Sequence, residues 1–250
     1  MPNLFAATSL AMAGIAQAAD ITVLATPGVK EAYLALVPQF ERASGNKVKT
    51  TWAGTADVMK RMKAGEVFDA VILASNSLEE LIDTGKLMAG SRADVARSLV
   101  GVAVRAGAPK PDISSPEALK QTLLAAKSIG ISTGPSGVYL TGLFQRMGVL
   151  DEIKPRFRTP PSGANIGELV AKGEAEIGFQ QVSELIHFPG IQFIGPLPAA
   201  VQQTTVFAGG VHAASREPDA ARDFLKFLSA PQHAALLQKH GLDLGAASPY

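Results

Sequence analysis

Small polar residues cluster in the middle of the chain, where residues 132–137 read Ser-Thr-Gly-Pro-Ser-Gly. The apolar run Ile129–Ile131 before them predicts a strand, and a helical pattern starts at Val138 after them. The start of a helix leaves backbone N–H groups without partners, here beside the Ser136 hydroxyl. The pattern favours a cradle for an oxyanion or a carboxylate that needs no charged side chain. A capped helix without a ligand is the alternative.

Five further turns of the same kind follow other predicted strands. Each precedes a segment of helical character, an order typical of a parallel, doubly wound sheet. Ligands of such sheets bind beyond the carboxyl ends of the strands, so the turns are the candidate ligand loops. The six turns are Thr26–Gly28, Gly54–Ala56, Ser75–Ser77, Ser132–Gly137, Pro161–Asn165 and Gln180–Ser183.

Twelve residues at or beside these turns are our candidates for ligand contact. Hydroxyl, amide and backbone groups dominate the set, which therefore predicts that an anion is held by neutral donors. Side chains alternate in extended segments, so we expect only one of two neighbouring glutamines to face the ligand. The candidates are Thr26, Pro27, Gly28, Gly54, Thr55, Ser75, Ser136, Gly137, Val138, Tyr139, Gln180 and Gln181.

The residues that could do catalysis are few. Val138 stands where the nucleophile elbow G-x-S-x-G needs its second glycine, which argues against a serine hydrolase. Without cysteine, and with four scattered histidines, the sequence predicts no metal site, and it predicts no cofactor either. Tyr139, Glu184 and Glu31 are the candidate bases. Since no pair of carboxylates stands at matching loops, the pattern favours binding over catalysis.

Composition narrows the class of protein further. The chain has 250 residues, 47% hydrophobic and 18% charged, with a net charge of +1, which argues against nucleic acid as a partner. Residues 1–19 carry no charged side chain and end in an Ala-x-Ala pattern before Asp20. We interpret residues 1–19 as a signal peptide of an exported protein, with an ordinary N-terminal helix as the alternative.

Two predicted strands, Leu99–Val104 and Thr204–Ala213, bracket the second set of strand–turn–helix units. A chain that leaves one α/β lobe, builds another and returns must cross twice between them. We therefore predict an α/β fold of two doubly wound lobes joined by two crossing strands, with a cleft and a hinge. Residues 20–101 and 205–250 form the first lobe, and residues 102–204 form the second.

Most of the chain, residues 20–231, resembles the periplasmic molybdate-like solute-binding proteins of ABC transporters, which have the type II periplasmic binding fold. The resemblance implies a monomer in the periplasm that closes on a small anion and passes it to a membrane permease. The segments that carry it are Ile21–Gly28, Trp52–Thr55, Phe68–Ser75, Ser132–Tyr139 and Gly173–Gln181.

The ligand loops differ from those of the molybdate binders. The first loop is Thr26-Pro27-Gly28 instead of a serine-rich turn, and the second offers one hydroxyl, from Thr55. Gln180 and Gln181 stand where the family usually has a tyrosine. Amides suit a planar ligand better than a compact tetrahedral one, so we expect an organic carboxylate. The alternative is an isomerase of a small tricarboxylate, similar to the aconitate isomerase offshoot of this family, with Tyr139 or Glu184 as the base.

Overall fold

The computed structural model describes residues 18–245. The predicted signal segment, apart from its last two positions, lies outside the described residues. Within residues 18–245, no helix is long and apolar enough to cross a membrane.

Strands and helices alternate along the first part of the chain. The strands are apolar or β-branched runs, and Gly45, in the left-handed conformation at φ 77°, ends the first helix. The elements are β1 (Asp20–Ala25), α1 (Lys30–Ser44), β2 (Lys47–Trp52), α2 (Thr55–Lys63), β3 (Ala70–Ala74) and α3 (Ser75–Asp83).

The same alternation continues in the second part, and the chain then returns to the first. The second part contains β4 (Ala93–Arg105), α4 (Pro116–Ala125), β5 (Ile129–Ile131), α5 (Pro135–Arg146), α6 (Leu150–Ile153), β6 (Phe157–Arg158), α7 (Ile166–Lys172), β7 (Ile177–Gln181), α8 (Val182–Leu185) and β8 (Ile191–Pro196). The returning segment contains β9 (Thr204–Val211), α9 (Pro218–Leu228), α10 (Ala234–Lys239) and β10 (Asp243–Leu244).

One long strand, β4, belongs to the sheets of both lobes. Its residues 93–99 pair with β9, and its residues 100–105 pair with β7 and β8. The strand order is β2-β1-β3-β9-β4-β7-β5-β6, with parallel pairing at β1–β2, β1–β3, β5–β6 and β5–β7. The predicted α/β fold of two lobes with crossing strands is confirmed. The exact lobe boundaries stay a prediction.

Each lobe has its own hydrophobic core. In the first lobe Phe40 and Phe224 pack edge to face between α1 and α9, and a second cluster around Leu73 and Leu78 covers the other face of the sheet. In the second lobe Phe144 packs against Phe179. Burying a side chain of this size contributes about 1.5–3 kcal/mol, so these clusters stabilise the elements that carry the ligand loops in each lobe.

Several predicted boundaries were wrong. Helix α2 begins at Thr55, inside the predicted turn Gly54–Ala56, and the predicted turn Gln180–Ser183 is occupied by the end of β7 and the start of α8. Helix α5 begins at Pro135, not at Val138, because proline fits the first helical position without needing its missing N–H. Helix α3 begins at Ser75, although residues 75–77 were expected to be a turn. Strand β4 begins at Ala93, six residues before the predicted Leu99, because its first half pairs with β9.

Candidate functional site

The ligand loops of both lobes meet around a small polar space, here called the inner cavity, of about 40 Å³. The loops after β1 and β2 supply its first-lobe wall. The start of α5, the loop before α7 and the end of β7 supply its second-lobe wall. The lining residues are Thr26, Pro27, Gly28, Gly54, Thr55, Ser132, Thr133, Gly134, Pro135, Ser136, Gly163, Ala164, Gln180, Gln181, Glu184 and Phe207.

The two walls touch each other directly. Gly54 packs so closely against the loop of the second lobe that a Cβ there would lie 2.2 Å from Ser162 Oγ. Ser183 Oγ, from α8, donates to the Gly28 carbonyl of the first lobe at 2.7 Å. The lobes are therefore closed around the inner cavity.

Helix α5 presents its N-terminus to the inner cavity. Ser132 and Ser136 lie with their hydroxyls 3.1 Å apart, and the N-cap residue Gly134 has no side chain that could satisfy the first turn. Helix geometry leaves the N–H groups of Ser136 and Gly137 without intrahelical partners. Gly137 lies behind this turn, where a Cβ would stand 1.7 Å from the Ser132 carbonyl oxygen. The arrangement can hold an anionic oxygen at a helix start.

Two buried polar atoms at the inner cavity have no partner in the part of the chain that the structure describes. They are the hydroxyl oxygen of Thr26 and the Oε1 atom of Gln181. The other end of the Gln181 amide, Nε2, donates to Thr205 Oγ1 at 2.9 Å. Because buried polar groups in folded proteins normally have partners, these two atoms mark a place where a ligand or water completes the site.

Glu184 brings a carboxyl group to the same wall. Gln180 Nε2 donates to Glu184 Oε1 at 2.7 Å, and the Ile166 N–H donates to Gln180 Oε1 at 2.7 Å. Burial raises the pKa of Glu184 to about 8, against the opposing effect of the Gln180 hydrogen bond. The carboxyl is therefore mostly protonated at neutral pH and can donate a hydrogen bond.

A wider space of about 540 Å³, here called the side groove, adjoins the inner cavity. The two share Pro27, Gly163, Ala164 and Glu184 in their walls. Lys30 and Trp52 also line the side groove, and Lys30 Nζ lies 5.7 Å from the centre of the Trp52 ring. A ligand longer than a single oxyanion group therefore has room beyond the inner cavity.

The structure brings eight of the twelve predicted ligand residues to the inner cavity. Both Gln180 and Gln181 line it, although only one was expected to from the alternation of side chains in a strand. The eight are Thr26, Pro27, Gly28, Gly54, Thr55, Ser136, Gln180 and Gln181. The sequence predicted Pro161–Asn165 as a ligand loop, and Gly163 and Ala164 of this loop line the inner cavity, although neither was among the twelve predicted contact residues.

The other four lie elsewhere. Gly137 packs behind the α5 turn, and Ser75, Val138 and Tyr139 line a second groove of about 490 Å³, which shares Thr55, Thr133, Gly134 and Pro135 with the inner cavity. Tyr139 donates its hydroxyl to the Val201 carbonyl at 2.8 Å. Among the candidate bases, Glu184 lies at the inner cavity and Glu31 lines the side groove. Within residues 18–245, no group of three or more His, Cys, Asp or Glu residues could hold a metal ion.

Two α/β lobes closed over a polar cavity define the class of two-lobe ligand-binding proteins. The bacterial extracellular solute-binding protein family matches residues 21–243, and the chain belongs to this family.

The chain is similar in sequence to proteins of two kinds. An aconitate isomerase from Pseudomonas sp. is 36% identical over 235 residues, covering 92% of this chain and 89% of that protein. The molybdate-binding protein ModA of Escherichia coli K12 is 23% identical over 251 residues and covers 97% of each chain.

Solved structures show the same fold. The periplasmic molybdate-binding protein of Azotobacter vinelandii superimposes with a TM-score of 0.76 at 21% identity, covering 90% of this chain and all of that one. The sulfate-binding protein SubI of Mycobacterium tuberculosis gives 0.73 at 20% identity, covering 90% and 86%. At these identities the likeness concerns the fold alone.

Proposed function

We propose that this chain is a periplasmic solute-binding protein that holds a small organic carboxylate between its lobes and delivers it to an ABC permease. The observation that carries the choice of ligand is the second-lobe wall of the inner cavity. That wall combines amide groups with the carboxyl of Glu184, beside the side groove. A compact oxyanion such as molybdate would leave the side groove unused.

One carboxylate of such a ligand fits the donors of the inner cavity. These donors are the Ser136 N–H group and the Thr26 hydroxyl, which has no partner among residues 18–245. The rest of the ligand extends into the side groove, where Lys30 supplies a positive charge for a second carboxylate. The 36% identity to an aconitate isomerase, against 23% to ModA, supports a carboxylate.

A thermal-shift panel tests this assignment. The mature protein is heated with dicarboxylates and tricarboxylates, and separately with molybdate, tungstate and sulfate. We expect a carboxylate to raise the melting temperature, because a ligand that binds only the folded state stabilises it. A shift with molybdate or tungstate and none with the carboxylates would contradict the proposal.

A second candidate function is isomerisation of aconitate at the same site, and Glu184 is the observation that favours it. The reaction removes one proton from a methylene carbon, shifts the double bond by one position and returns a proton to the former vinylic carbon. The pKa of Glu184, at about 8, keeps both protonation states accessible near neutral pH, as a group that takes and returns a proton requires.

Proton NMR distinguishes the two functions. The protein is incubated with trans-aconitate in D₂O, and the mixture is followed over time for the cis isomer and for deuterium at carbon. Isomerisation by the unmodified protein and its loss in Glu184→Gln would establish the second candidate. If trans-aconitate binds but stays unchanged, the chain is a receptor.

A further inference from the structure

The orientation of the Gln180 amide determines which oxygen of Glu184 is free. A backbone N–H can only donate, so the contact with Ile166 N fixes the carbonyl end of Gln180 toward α7. The amide NH₂ must then face Glu184, where it donates to Oε1. In the part of the chain described, this is the one hydrogen bond to the Glu184 carboxyl, and Oε2 remains for the ligand.

Glu184 forms no ion pair within residues 18–245. Ionised Glu184 would stand in the wall of a space that holds an anion. Two negative groups in a partly desolvated cavity repel each other strongly. The titratable groups that share the side groove with it are Lys30, Glu31, Glu168 and His187.

We propose that the inner cavity binds its anion together with one proton, which stays on Glu184 Oε2 and donates a hydrogen bond to the ligand. The inference rests on the proposed function, because it assumes an anion at the inner cavity. Glu184 is then a specificity residue. The site recognises an anion through the protonated Glu184 carboxyl, which loses its proton as the pH rises, and through the N–H donors of α5, which do not titrate.

The pH dependence follows with a definite sign. Burial raises the pKa of Glu184 to about 8, so the protonated form dominates below that pH. Affinity is therefore constant below about pH 7.5. Well above pH 8, each pH unit removes about nine tenths of the protein molecules in which Glu184 is protonated. Because only these molecules bind the anion, the dissociation constant rises about tenfold per unit.

Isothermal titration calorimetry with trans-aconitate and with molybdate as probes, from pH 6 to 9.5, tests the proposal. We expect the tighter probe to lose affinity above pH 8 with the unmodified protein, and Glu184→Gln to bind with no pH dependence. The matched control is Glu174→Gln, an exposed position of the same lobe outside the inner cavity and the side groove, which should keep the original profile.

A second measurement uses the unmodified protein alone and guards against a variant that fails to fold. Titrations in two buffers of different ionisation enthalpy count the protons taken up on binding. We expect nearly one proton per ligand at about pH 9 and nearly none at about pH 6.5.

Each outcome decides between the claims. Constant affinity to pH 9.5 with no proton uptake, or a Glu184→Gln profile like the original, overturns the proton coupling even if trans-aconitate binds. If only molybdate binds, and it binds with uptake of a proton, the proton coupling stands and the proposed carboxylate ligand is rejected. If neither probe binds at pH 7, both the anion site and the inference are rejected.

Discussion

Gly54 in the first lobe and Gly163 in the second lobe meet backbone to backbone across the cleft. A Cβ on Gly54 would lie 2.7 Å from the Gly163 nitrogen, and a Cβ on Gly163 would lie 2.9 Å from the Gly54 nitrogen. Gly163 has φ 79°, whereas Gly54 has φ −63° and ψ 155°, which any residue adopts. At Gly54, therefore, glycine is required for lobe closure and not for the local backbone.

The first prediction is that Gly54→Ala holds the lobes apart without unfolding either one. The three atoms nearest to the new methyl group all belong to the opposite lobe, so the melting temperature without ligand should stay the same or rise slightly. Ligand affinity should fall at least tenfold because the two walls no longer meet. Calorimetry measures the affinity, and small-angle scattering should show a larger radius of gyration with ligand than for the unmodified protein.

Gly142→Ala, inside α5, is the matched control. Its Cβ would meet nothing closer than an Arg146 nitrogen at 3.4 Å, and alanine favours a helix over glycine by about 1 kcal/mol. We expect a small gain in stability and unchanged affinity. Equal affinity of Gly54→Ala and the unmodified protein would show that binding does not require this contact.

The second prediction separates Tyr139 from the ligand site. Its hydroxyl donates to the Val201 carbonyl, and its ring lies outside the inner cavity. Tyr139→Phe should therefore lower the free energy of unfolding by about 1 kcal/mol and leave ligand affinity, and any isomerase activity, unchanged. Denaturant unfolding measures the change in stability, and the NMR assay measures any change in isomerase activity. Loss of activity at unchanged stability would return Tyr139 to the list of catalytic candidates.

The sequence predicted which segments follow the strands, because parallel strands place their carboxyl ends at one edge of a sheet, but the predicted turns at residues 54–56, 75–77 and 180–183 belong partly or wholly to helices or strands. Buried runs such as β3, with every residue buried, were visible as continuous apolar segments. The contact between Tyr139 and Val201 was not visible, because it joins positions 62 residues apart. The sequence also did not predict that Gln180 and Gln181 both line the inner cavity, because neighbouring strand residues were expected to point to opposite faces.

The third prediction concerns Asp69, which ties β1 to the segment before α9. Asp69 Oδ2 accepts from the Thr22 N–H and hydroxyl, and Oδ1 accepts from Ser215 Oγ, Arg216 N and Glu217 N. Asp69→Asn places an NH₂ group against these donors, and we expect it to lower the free energy of unfolding at pH 7 by about 3 kcal/mol. Asp83→Asn, at an exposed position of α3, should change it by less than about 0.5 kcal/mol.

The effect of Asp69 should vanish in acid. Burial alone would raise the pKa of Asp69, but the hydrogen bonds from Thr22, Ser215 and Glu217 outweigh burial and hold it below its usual value. A carboxyl with a lowered pKa stabilises the fold above its unfolded pKa, near 4, and loses this effect as pH falls through the folded value. Urea unfolding at pH 7 and pH 3 should show the gap between the two proteins closing. A gap that stays constant would contradict this assignment.

The fourth prediction uses the Thr26 hydroxyl, which is buried at the inner cavity without a partner among residues 18–245. Valine has nearly the same shape and suits the extended backbone of Thr26, at φ −87° and ψ 150°. Removing an unpaired buried hydroxyl should raise the free energy of unfolding of the ligand-free protein by up to about 1 kcal/mol. The same change removes a hydrogen bond to the bound anion and should weaken binding about three- to tenfold.

Thr205→Val is the control, for which we expect a change in stability of the opposite sign. The Thr205 hydroxyl is also buried, but it accepts from Gln181 Nε2 at 2.9 Å, so its removal should cost about 1–2 kcal/mol of stability. Thermal unfolding of both variants with and without ligand separates the two cases. A gain in stability together with a loss of affinity at Thr26 identifies a group that folding leaves unpaired and the ligand pairs. If Thr26→Val destabilises the protein as Thr205→Val does, the hydroxyl serves the fold and the anion must be held by the N-terminus of α5 and the second-lobe wall.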